Sequence, residues 1–560
     1  MGSFVDIALN IFRRISAEQK RKELRWALQE CLERGLSLSA RCLAELLTSL
    51  DRKLGTGAGH VEEPFSCVFR EDLSLYLYAK TLFDCREYQR AAAVLQSCTE
   101  VRCRFLRWYA LFLHGEKRKE EEFLQSGAGN FSGERGSQNA QATVILREID
   151  NASRADATLF EDAYISWIRG IALKACGSER EAMEAFIGAL ERKRYLWAAW
   201  VELHELGQDF SAVASALQPV LERGDSWMFA FFLTMQAGTS VGNSIIISVL
   251  EELSAEFTDS VTLMQQLAQA YFSAHDFETA AEHCRRVREL DPCCLDGVDL
   301  FSNILFVQED RVELSALAQD CVRIDKYRAE TCCVVGNYFA LRQNHEKAVQ
   351  YFRRALALNR SYVAAWTLMG HEFLEMRNTS AAVEAYRRAI DLDPRDFRPF
   401  YGLGQTYELL HMPHYALYYF EKAASLRPCD DRMWVAMSQV LQDLGRVEDS
   451  IRCLEKALTC NPENWNCAKR AGDLLWQLGH FDSAAKHYES YVKVRKALKQ
   501  PFVGLDSEET DIVIRMAAYH MKRGEYQVAN EYVDMQSDVD NAEKRDILQG
   551  IKAELSGKCP

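Results

Sequence analysis

Residues 363–396 read VAAWTLMGHEFLEMRNTSAAVEAYRRAIDLDPRD, and residues 397–430 read FRPFYGLGQTYELLHMPHYALYYFEKAASLRPCD. The two segments have the same length of 34 residues and hold the same kinds of residue at the same positions. The matching pairs are Gly370 and Gly404, Ala382 and Ala416, Tyr386 and Phe420, and Pro394 and Pro428. Because several kinds of size constraint recur in phase, the two segments are copies of one structural unit.

The same period extends to both sides of this pair. Gly336 and Ala348 stand 34 positions before the glycine and alanine of segment 363–396, and the alanine position continues downstream as Ser450 and Ala484. The pattern resembles the tetratricopeptide repeat, which reads W-x2-L-G-x2-Y, then A-x3-F, then P, at a period of 34. The chain is therefore predicted to be an array of such repeats.

Each unit of this repeat is a pair of antiparallel helices. A glycine or alanine lies where two helices approach closely, an aromatic side chain fills the space between helix pairs, and proline ends the second helix. One unit cannot bury its apolar face alone, so neighbouring units stack. We predict an all-α fold, a tetratricopeptide-repeat superhelical solenoid of antiparallel helix pairs. The predicted packing residues are Gly336, Gly370, Gly404, Ala348, Ala382, Ala416, Trp366, Tyr386 and Phe420.

The quality of the repeat divides the chain into three predicted parts. Residues 1–260 are helical with degenerate repeats, 261–499 form a regular array with a concave binding groove, and 500–560 add repeat-like helices and a tail that frays. Gly55–His60 and Ser126–Gln138 are predicted loops, because they are polar or glycine-rich without an apolar period.

Composition and charge exclude several classes of protein. The chain of 560 residues has only 10 prolines and a formal net charge of −14. The negative charge argues against nucleic-acid binding, which needs a basic surface. The longest apolar runs, Trp227–Leu233 and Ile245–Leu250, are far shorter than the roughly 18 residues that span a membrane. With no secretory signal at the start of the chain, we expect a soluble intracellular protein.

No motif predicts catalysis. Gly402 and Gly404 resemble the start of a dinucleotide-binding loop, but the third glycine and a preceding strand are missing. His371 and Glu372 begin like a zinc-protease motif, but position 375 is Glu where the second His is required. The 18 cysteines contain no C-x-x-C pair, which predicts small buried residues in a reducing compartment. We predict a protein that is not an enzyme and needs no cofactor or metal.

A row of polar residues follows the small residue in the first helix of successive repeats. Its members are Asn337, His371, Gln405, Gln439 and Asp473. In such solenoids the first helices line the concave surface. Two interpretations stay open: an ordinary solvated face, or a row of hydrogen-bonding side chains for an extended peptide.

Three carboxylates lie beside this row and favour a basic peptide. Glu372, Glu375 and Glu408 would suit a ligand that carries arginine, because a guanidinium forms charge-assisted hydrogen bonds with carboxylates. As a groove carboxylate that supports no core packing, Glu372 should contribute little to fold stability. The eight residues of the row and of this acidic group are the predicted peptide-binding groove.

Residues 331–423, which include VVGNYFAL and LMGHEFLEM, resemble a specific family. This family is the cell-division-cycle-23 type of repeat protein, subunit eight of the anaphase-promoting complex. The segment ELRWALQECLERGLSLSARCLAELL (23–47) resembles the opening helices of the same family. The C-terminal repeats and the 126–138 segment depart most from the family pattern.

The resemblance implies a scaffold subunit of a large E3 ubiquitin ligase that promotes mitotic progression in the nucleus and cytoplasm. It implies that other subunits of this ligase are partners. It also implies that the N-terminal repeats form a homodimer and that the C-terminal groove receives an arginine-containing motif of the coactivators. Asn337 and Glu372 match the groove residues of the family.

Other functions of repeat proteins fit less well. A chaperone adaptor clamps a C-terminal carboxylate with lysine, but the corresponding positions here are Cys333, Thr367 and Tyr401. A repeat-bearing glycosyltransferase would need a catalytic domain, and another repeat subunit of the same ligase remains an alternative. Out-of-phase tryptophans in residues 1–260 suit the homodimer interface that we predict there, namely Trp108, Trp167, Trp197, Trp200 and Trp227.

Overall fold

The computed structural model describes most of the chain. The described residues are 2–54, 73–125, 139–156, 158–206, 210–222, 226–235, 243–428, 430–497, 507–534 and 551. Their regular secondary structure consists of α-helices and one short 3-10 helix, Leu159–Glu161. The predicted loops at 55–60 and 126–138, and nearly all of the predicted frayed tail, lie outside the described residues.

The first of two compact units is Met1–Asp310. Its helices are α1 (Gly2–Arg14), α2 (Ala17–Glu33), α3 (Ser37–Leu54), α4 (Leu73–Asp84), α5 (Tyr88–Val94), α6 (Val101–Gln125), α7 (Ala140–Ala155), α8 (Ala163–Ala175), α9 (Glu179–Arg192), α10 (Trp197–Leu206), α11 (Phe210–Ala216), α12 (Gln218–Glu222), α13 (Met228–Met235), α14 (Asn243–Glu256), α15 (Val261–Ser273), α16 (Phe277–Leu290) and α17 (Val298–Val307).

The second unit is Arg311–Pro560. Its described helices are α18 (Arg311–Ile324), α19 (Ala329–Leu341), α20 (His345–Leu358), α21 (Val363–Glu375), α22 (Thr379–Leu392), α23 (Phe397–Leu409), α24 (Pro413–Leu426), α25 (Asp431–Asp443), α26 (Val447–Cys460), α27 (Trp465–Gln477), α28 (Phe481–Ala497), α29 (Ser507–Arg523) and α30 (Tyr526–Asp534).

The helices of the second unit follow the 34-residue period of the sequence. The first helices of five successive pairs begin 34 residues apart, at Ala329, Val363, Phe397, Asp431 and Trp465. Their partners keep the same spacing, with starts at His345, Thr379, Pro413, Val447 and Phe481. The predicted all-α tetratricopeptide-repeat fold is confirmed.

Polar side chains fix where these helices begin. Asn344 and Asn378 precede second helices, and their side chains accept hydrogen bonds from the backbone N–H groups of Lys347 and Ala381. Asp396 caps α23 in the same way. Each cap gives a partner to an N–H group that has none within the helix, which contributes about 1 kcal/mol.

The turn between the two helices of each pair has a left-handed residue that the sequence pattern did not predict. Its positions are again 34 apart and have φ values between 54° and 81°: His275, Glu309, Gln343, Arg377, His411, Gly445 and Gly479. Only the last two are glycine, the residue that adopts this conformation without steric cost. The other five positions hold a side chain in a disfavoured backbone region.

The predicted packing glycines lie against aromatic rings of the partner helix. A Cβ atom built on Gly336 would lie 2.4 Å from Cε1 of Phe352, and one on Gly404 would lie 2.4 Å from Cε1 of Phe420. Gly170 in the first unit has the same relation to Phe186, at 2.5 Å. In each case the aromatic residue comes 16 positions after the glycine. The packed glycine and ring can therefore be recognised in the sequence from this spacing.

The tryptophans of the first unit belong to its own core. Trp200 and Trp227 are fully buried, and the other three, Trp108, Trp167 and Trp197, are also buried. The Trp227 ring lies 5.9 Å from that of Phe231, and its Nε1 donates to Glu23 at 2.7 Å. The interpretation of these five residues as interface residues is wrong, because the unit's own helices cover them.

The first three helices are bound to residues that follow more than 200 positions later. Arg13 donates to Glu252 at 2.8 Å, Lys20 forms a 2.6 Å ion pair with Glu256, and the Ser49 hydroxyl donates to the Thr258 carbonyl. These are contacts between opposite ends of residues 2–262. Helices α1–α3 therefore close the first unit.

Helix α15 belongs to the first unit although the sequence placed it in the regular array. Glu45 in α3 accepts from the Thr262 N–H at 2.7 Å and from the Ser260 hydroxyl at 3.0 Å. The carboxylate thus binds the N-terminal end of α15, where a negative charge is favoured. The boundary between the two compact units falls between residues 310 and 311.

Neither a membrane-spanning helix nor a metal-binding group of side chains is present among the described residues. None of the described helices combines the length and apolar character that crossing a membrane requires. No group of three or more His, Cys, Asp or Glu side chains within the described ranges could hold a metal ion.

Candidate functional site

The predicted row lies on the first helices of five consecutive pairs in the second unit. Asn337 is buried, with 2% of its surface exposed, whereas the other four residues are half-buried. The row is therefore less exposed than an ordinary solvated face.

Two residues of the row form a hydrogen bond with a tyrosine hydroxyl. In each case the tyrosine is the residue of the second helix that packs against the glycine of the same repeat. His371 Nδ1 shares a 2.8 Å hydrogen bond with the Tyr386 hydroxyl, and Tyr488 donates to Asp473 at 2.8 Å. Both tyrosines stand 15 positions after their partners. Burial lowers the pKa of His371 to about 4, with Arg398 as a secondary cause, so this ring is neutral at pH 7.

Gln439 also has a partner inside the chain. Its Oε1 accepts from Arg470 in the next first helix. Arg515 adds a 3.0 Å ion pair to Asp473. The side chain of Gln405, between the two ends of the row, makes no hydrogen bond with other described residues and remains available to a ligand.

Glu372 is more buried than the sequence predicted. Its exposed fraction is 7%, and its Oε2 lies 2.8 Å from Nδ1 of His345, at the start of α20. Burial raises the pKa of this carboxyl, and the hydrogen bond from His345 opposes the shift. Glu372 therefore has a structural contact that the sequence did not predict, and its removal would leave His345 without this partner. Oε1 makes no hydrogen bond with the described residues.

The other two predicted carboxylates are more accessible. Glu375 is exposed at the end of α21. Glu408 is half-buried in a pocket of about 340 Å³, where Gln439 also lies. Burial raises the pKa of Glu408, and the nearby Asp443 raises it further. A cation close to Glu408 would oppose both effects by stabilising the ionised carboxylate, and Arg432 and Arg470 already line the same pocket.

Arginines at the other end of the first helices were missed by sequence reasoning. Arg432 lines the Glu408 pocket and donates to Asp430 at 2.8 Å. Arg398 forms the same 2.8 Å pair with Asp396 one repeat earlier. The signal was present in the sequence as Asp-x-Arg at 396–398 and again at 430–432.

The site is thus a face of hydrogen-bonding groups with carboxylates toward the C-terminal ends of the first helices. Glu408 and Gln439 share one pocket, whereas His371 and Asp473 are held by tyrosines of their own repeats. The arrangement offers charge and hydrogen bonds to a bound peptide.

Comparison with known proteins identifies the chain. The family model "Anaphase promoting complex subunit 8 / Cdc23" matches residues 19–268. Tetratricopeptide-repeat models match 329–362, 370–410 and 435–498. The family-model match thus falls within the first unit, where the repeat signatures are weakest, and the repeat-model matches fall within the second.

Curated relatives carry the same family name. "Anaphase-promoting complex subunit 8" of Arabidopsis thaliana is 36% identical over 299 residues, which are 53% of this chain and 50% of the relative. The protein of the same name from Dictyostelium discoideum is 30% identical over 402 residues, 62% of this chain and 67% of the relative. The chain spans about half to two thirds of the length of these relatives.

A solved structure has the same fold. The APC/C hetero-tetramer Cut9-Hcn1 gives a TM-score of 0.54, covers 98% of both chains and is 16% identical in sequence. Together, the repeat geometry, the family model and the curated relatives show that this chain belongs to the anaphase-promoting complex subunit 8 / Cdc23 family.

Proposed function

We propose that this chain is a non-catalytic scaffold subunit of the anaphase-promoting complex/cyclosome, an E3 ubiquitin ligase that modifies mitotic substrates. Family membership supports this assignment, and so does a fold built to present surfaces to other proteins. The similar solved structure is a hetero-tetramer by its description. Other subunits of the complex are the proposed partners, and nucleus and cytoplasm are the proposed locations.

A mild pull-down from dividing cells tests the assembly. Mass spectrometry of proteins bound to the full tagged chain should find cullin-like and RING-containing ligase subunits. Recovery of another repeat subunit without these two would contradict the proposal. Chaperones as the only specific partners would favour the adaptor alternative.

The second part of the proposal is that the groove of α19–α25 binds an extended coactivator segment that contains arginine. One observation carries it: Oε1 of Glu372 has no hydrogen-bond partner in the described chain, and Oε2 is already oriented by His345. A carboxylate with one fixed and one free oxygen can accept from a guanidinium. Glu375 and Glu408 add negative charge to the same groove.

Fluorescence polarisation tests this site. A labelled coactivator peptide with its arginine should bind the full chain, and the same peptide with lysine or glutamine in that place should bind more weakly. Glu408→Gln removes a groove charge with little change in shape and should weaken binding severalfold. Glu384→Gln, at an exposed position of α22, is the matched control. Equal loss in both variants would place the site elsewhere.

The third part is a homodimer formed through residues 1–260. The tryptophans give no support, but α2–α4 expose large apolar side chains that the first unit does not cover. They are Trp26, Leu32, Leu38, Leu75, Leu77 and Tyr78, with exposed fractions between 40% and 75%. Exposed apolar surface of this kind is typical of interaction sites, and we propose a second copy of the chain as its partner.

A further inference from the structure

One pocket of the second unit is basic although the chain as a whole is acidic. It has a volume of about 490 Å³ and lies between α18 and α19, and none of the predicted groove residues is among its lining residues. Its polar and charged lining consists of Arg311, Ser315, Gln319, Tyr338 and Arg342. No carboxylate is among the lining residues.

The two arginines present their charge to the pocket. Within the described chain, neither Arg311 nor Arg342 forms an ion pair with a carboxylate. Arg342 donates to the Tyr338 hydroxyl at 2.8 Å, and its guanidinium carbon lies 5.6 Å from the centre of the Tyr338 ring. This contact orients the guanidinium but leaves its positive charge without a counter-ion. An anionic group would supply one.

An exposed apolar side chain stands beside these charges. Val312 has 82% of its surface exposed, the largest fraction among the exposed large hydrophobic residues of the described chain. It follows Arg311 directly in α18 and also lines the pocket. A ligand that covers Val312 while it pairs with the arginines would gain both apolar burial and charge-assisted hydrogen bonds.

We propose that this pocket, formed by α18 and α19, docks an acidic peptide segment of a partner protein. The carboxylates of the segment pair with Arg311 and Arg342, and an apolar residue between them packs on Val312. Ser315, Gln319 and the Tyr338 hydroxyl provide hydrogen bonds for the peptide backbone. The pocket shares α19 with the proposed coactivator groove, but its lining contains none of the groove carboxylates Glu372, Glu375 and Glu408.

The test uses the full chain and a fluorescein-labelled peptide in which single leucines are separated by pairs of glutamates. Arg311→Gln/Arg342→Gln should weaken its binding about tenfold or more. Arg446→Gln/Arg452→Gln is the control, because it removes the same charge from exposed positions elsewhere in the unit. This control should bind the peptide as the parent does. Circular dichroism should show that both variants are folded.

Three outcomes would overturn the proposal. Equal loss of binding in both double variants would mean that the peptide responds only to net charge. Equal binding of a peptide with glutamine in place of glutamate would remove the role of the carboxylates. Release of the peptide by millimolar inorganic phosphate would assign the pocket to a small anion instead.

Val312→Ser should weaken binding of the leucine peptide but not of one with serine in place of leucine.

Discussion

Gly370 in α21 lies so close to Tyr386 in α22 that a Cβ atom at position 370 would be 2.5 Å from Cε1 of the ring. The ring is fully buried, and its hydroxyl is bonded to His371, the residue after the glycine. One tyrosine therefore fills the contact between two helices and also holds a member of the polar row.

Gly370→Leu should destabilise the second unit by several kcal/mol. A leucine needs space that the Tyr386 ring occupies, and overpacking of a tight contact costs about 1–3 kcal/mol or more. Damage should reach neighbouring repeats, because stacked repeats are coupled through their interfaces. Thermal melts followed by circular dichroism measure the change.

Gly188→Ala is the control for this change. Gly188 is also helical, but the nearest atom to its new Cβ would be the flexible Arg192 Nη1 at 3.3 Å. Because alanine favours a helix over glycine by about 1 kcal/mol, this variant should melt at the same temperature or higher. An unchanged melting temperature in Gly370→Leu would contradict the assigned repeat register.

Acid should destabilise the second unit through His371. The folded-state pKa is about 4, below the ordinary value of 6.5, so the unfolded chain takes up the proton first as the pH falls. The stabilisation is complete above pH 6.5 and is lost progressively toward pH 4, by an amount on the order of 1–3 kcal/mol. Chemical denaturation at pH 7 and pH 5 measures this loss.

His371→Gln should reduce this sensitivity to acid, because glutamine does not titrate in this range. His414→Gln changes an exposed histidine of α24 and should behave like the parent. If the parent and His371→Gln lost the same stability between pH 7 and pH 5, His371 would not be the acid-sensitive group.

Glu372 should affect both binding and stability. Glu372→Ala should weaken binding of the coactivator peptide about ten- to a hundredfold, since a hydrogen bond to a charged group contributes roughly 1.5–3 kcal/mol. It should also lower the melting temperature, because His345 loses its partner. Asn337→Ala should cost about 1 kcal/mol in binding. Polarisation assays and melts on the same samples separate the two effects.

Glu372→Gln distinguishes charge from shape. It keeps a side chain that can bond to His345, so it should melt near the parent temperature while binding remains weak. The stability of this variant relative to the parent should increase as the pH rises above 4.5, where the buried carboxyl ionises at a cost. Parent-like binding in the glutamine variant would show that the Glu372 charge does not hold the arginine.

Light scattering tests the dimer. The full chain has a mass of 64.0 kDa, so a dimer at micromolar concentration should give about twice this value. Leu32→Glu/Leu38→Glu places charges on the exposed apolar face of α2 and α3 and should yield a monomer. Leu392→Glu, at a position of the second unit that is 45% exposed, should remain dimeric. A monomeric parent would contradict the homodimer.

Glycine at a left-handed turn position should stabilise the protein. Arg377 has a φ of 58°, which costs an ordinary residue about 1–2 kcal/mol. Arg377→Gly should therefore gain up to about 1 kcal/mol, after the greater freedom of glycine in the unfolded chain is subtracted. Gly445→Ala, at the equivalent position with φ 73°, should lose a similar amount. Changes of the same sign in the two variants would contradict this account.

The period of the sequence predicted where the helices of the second unit begin, because glycine, alanine and aromatic residues all report the same close contacts. It did not predict the left-handed turns, since five of seven hold residues such as Gln343 and Arg377 that carry no turn signal. The packing of the helices on either side imposes this backbone conformation against the local preference of the residue.

The polar row was only partly interpretable from sequence. His371 and Asp473 bind tyrosine hydroxyls within their own repeats, whereas Asn337 and Gln405 belong to repeats whose packing residue is phenylalanine. Whether the packing residue of a repeat is tyrosine or phenylalanine was therefore the sequence signal for which members of the row are bound within their own repeat. Burial of Glu372 and of the first-unit tryptophans depends on contacts between distant segments, which a repeat pattern does not contain.

The closure of the first unit by α1–α3 affects how the protein folds during synthesis. Glu45 cannot form its hydrogen bond to Thr262 until the ribosome has synthesised that residue. At about 5–20 residues per second, synthesis of the roughly 200 intervening residues takes about 10–40 s. Until then the apolar faces of α1–α3 are exposed to solvent unless another protein binds them. The second unit has no such delay, because each helix packs against one made shortly before it. The two halves of one chain thus differ in their exposure to aggregation and in their need for chaperones.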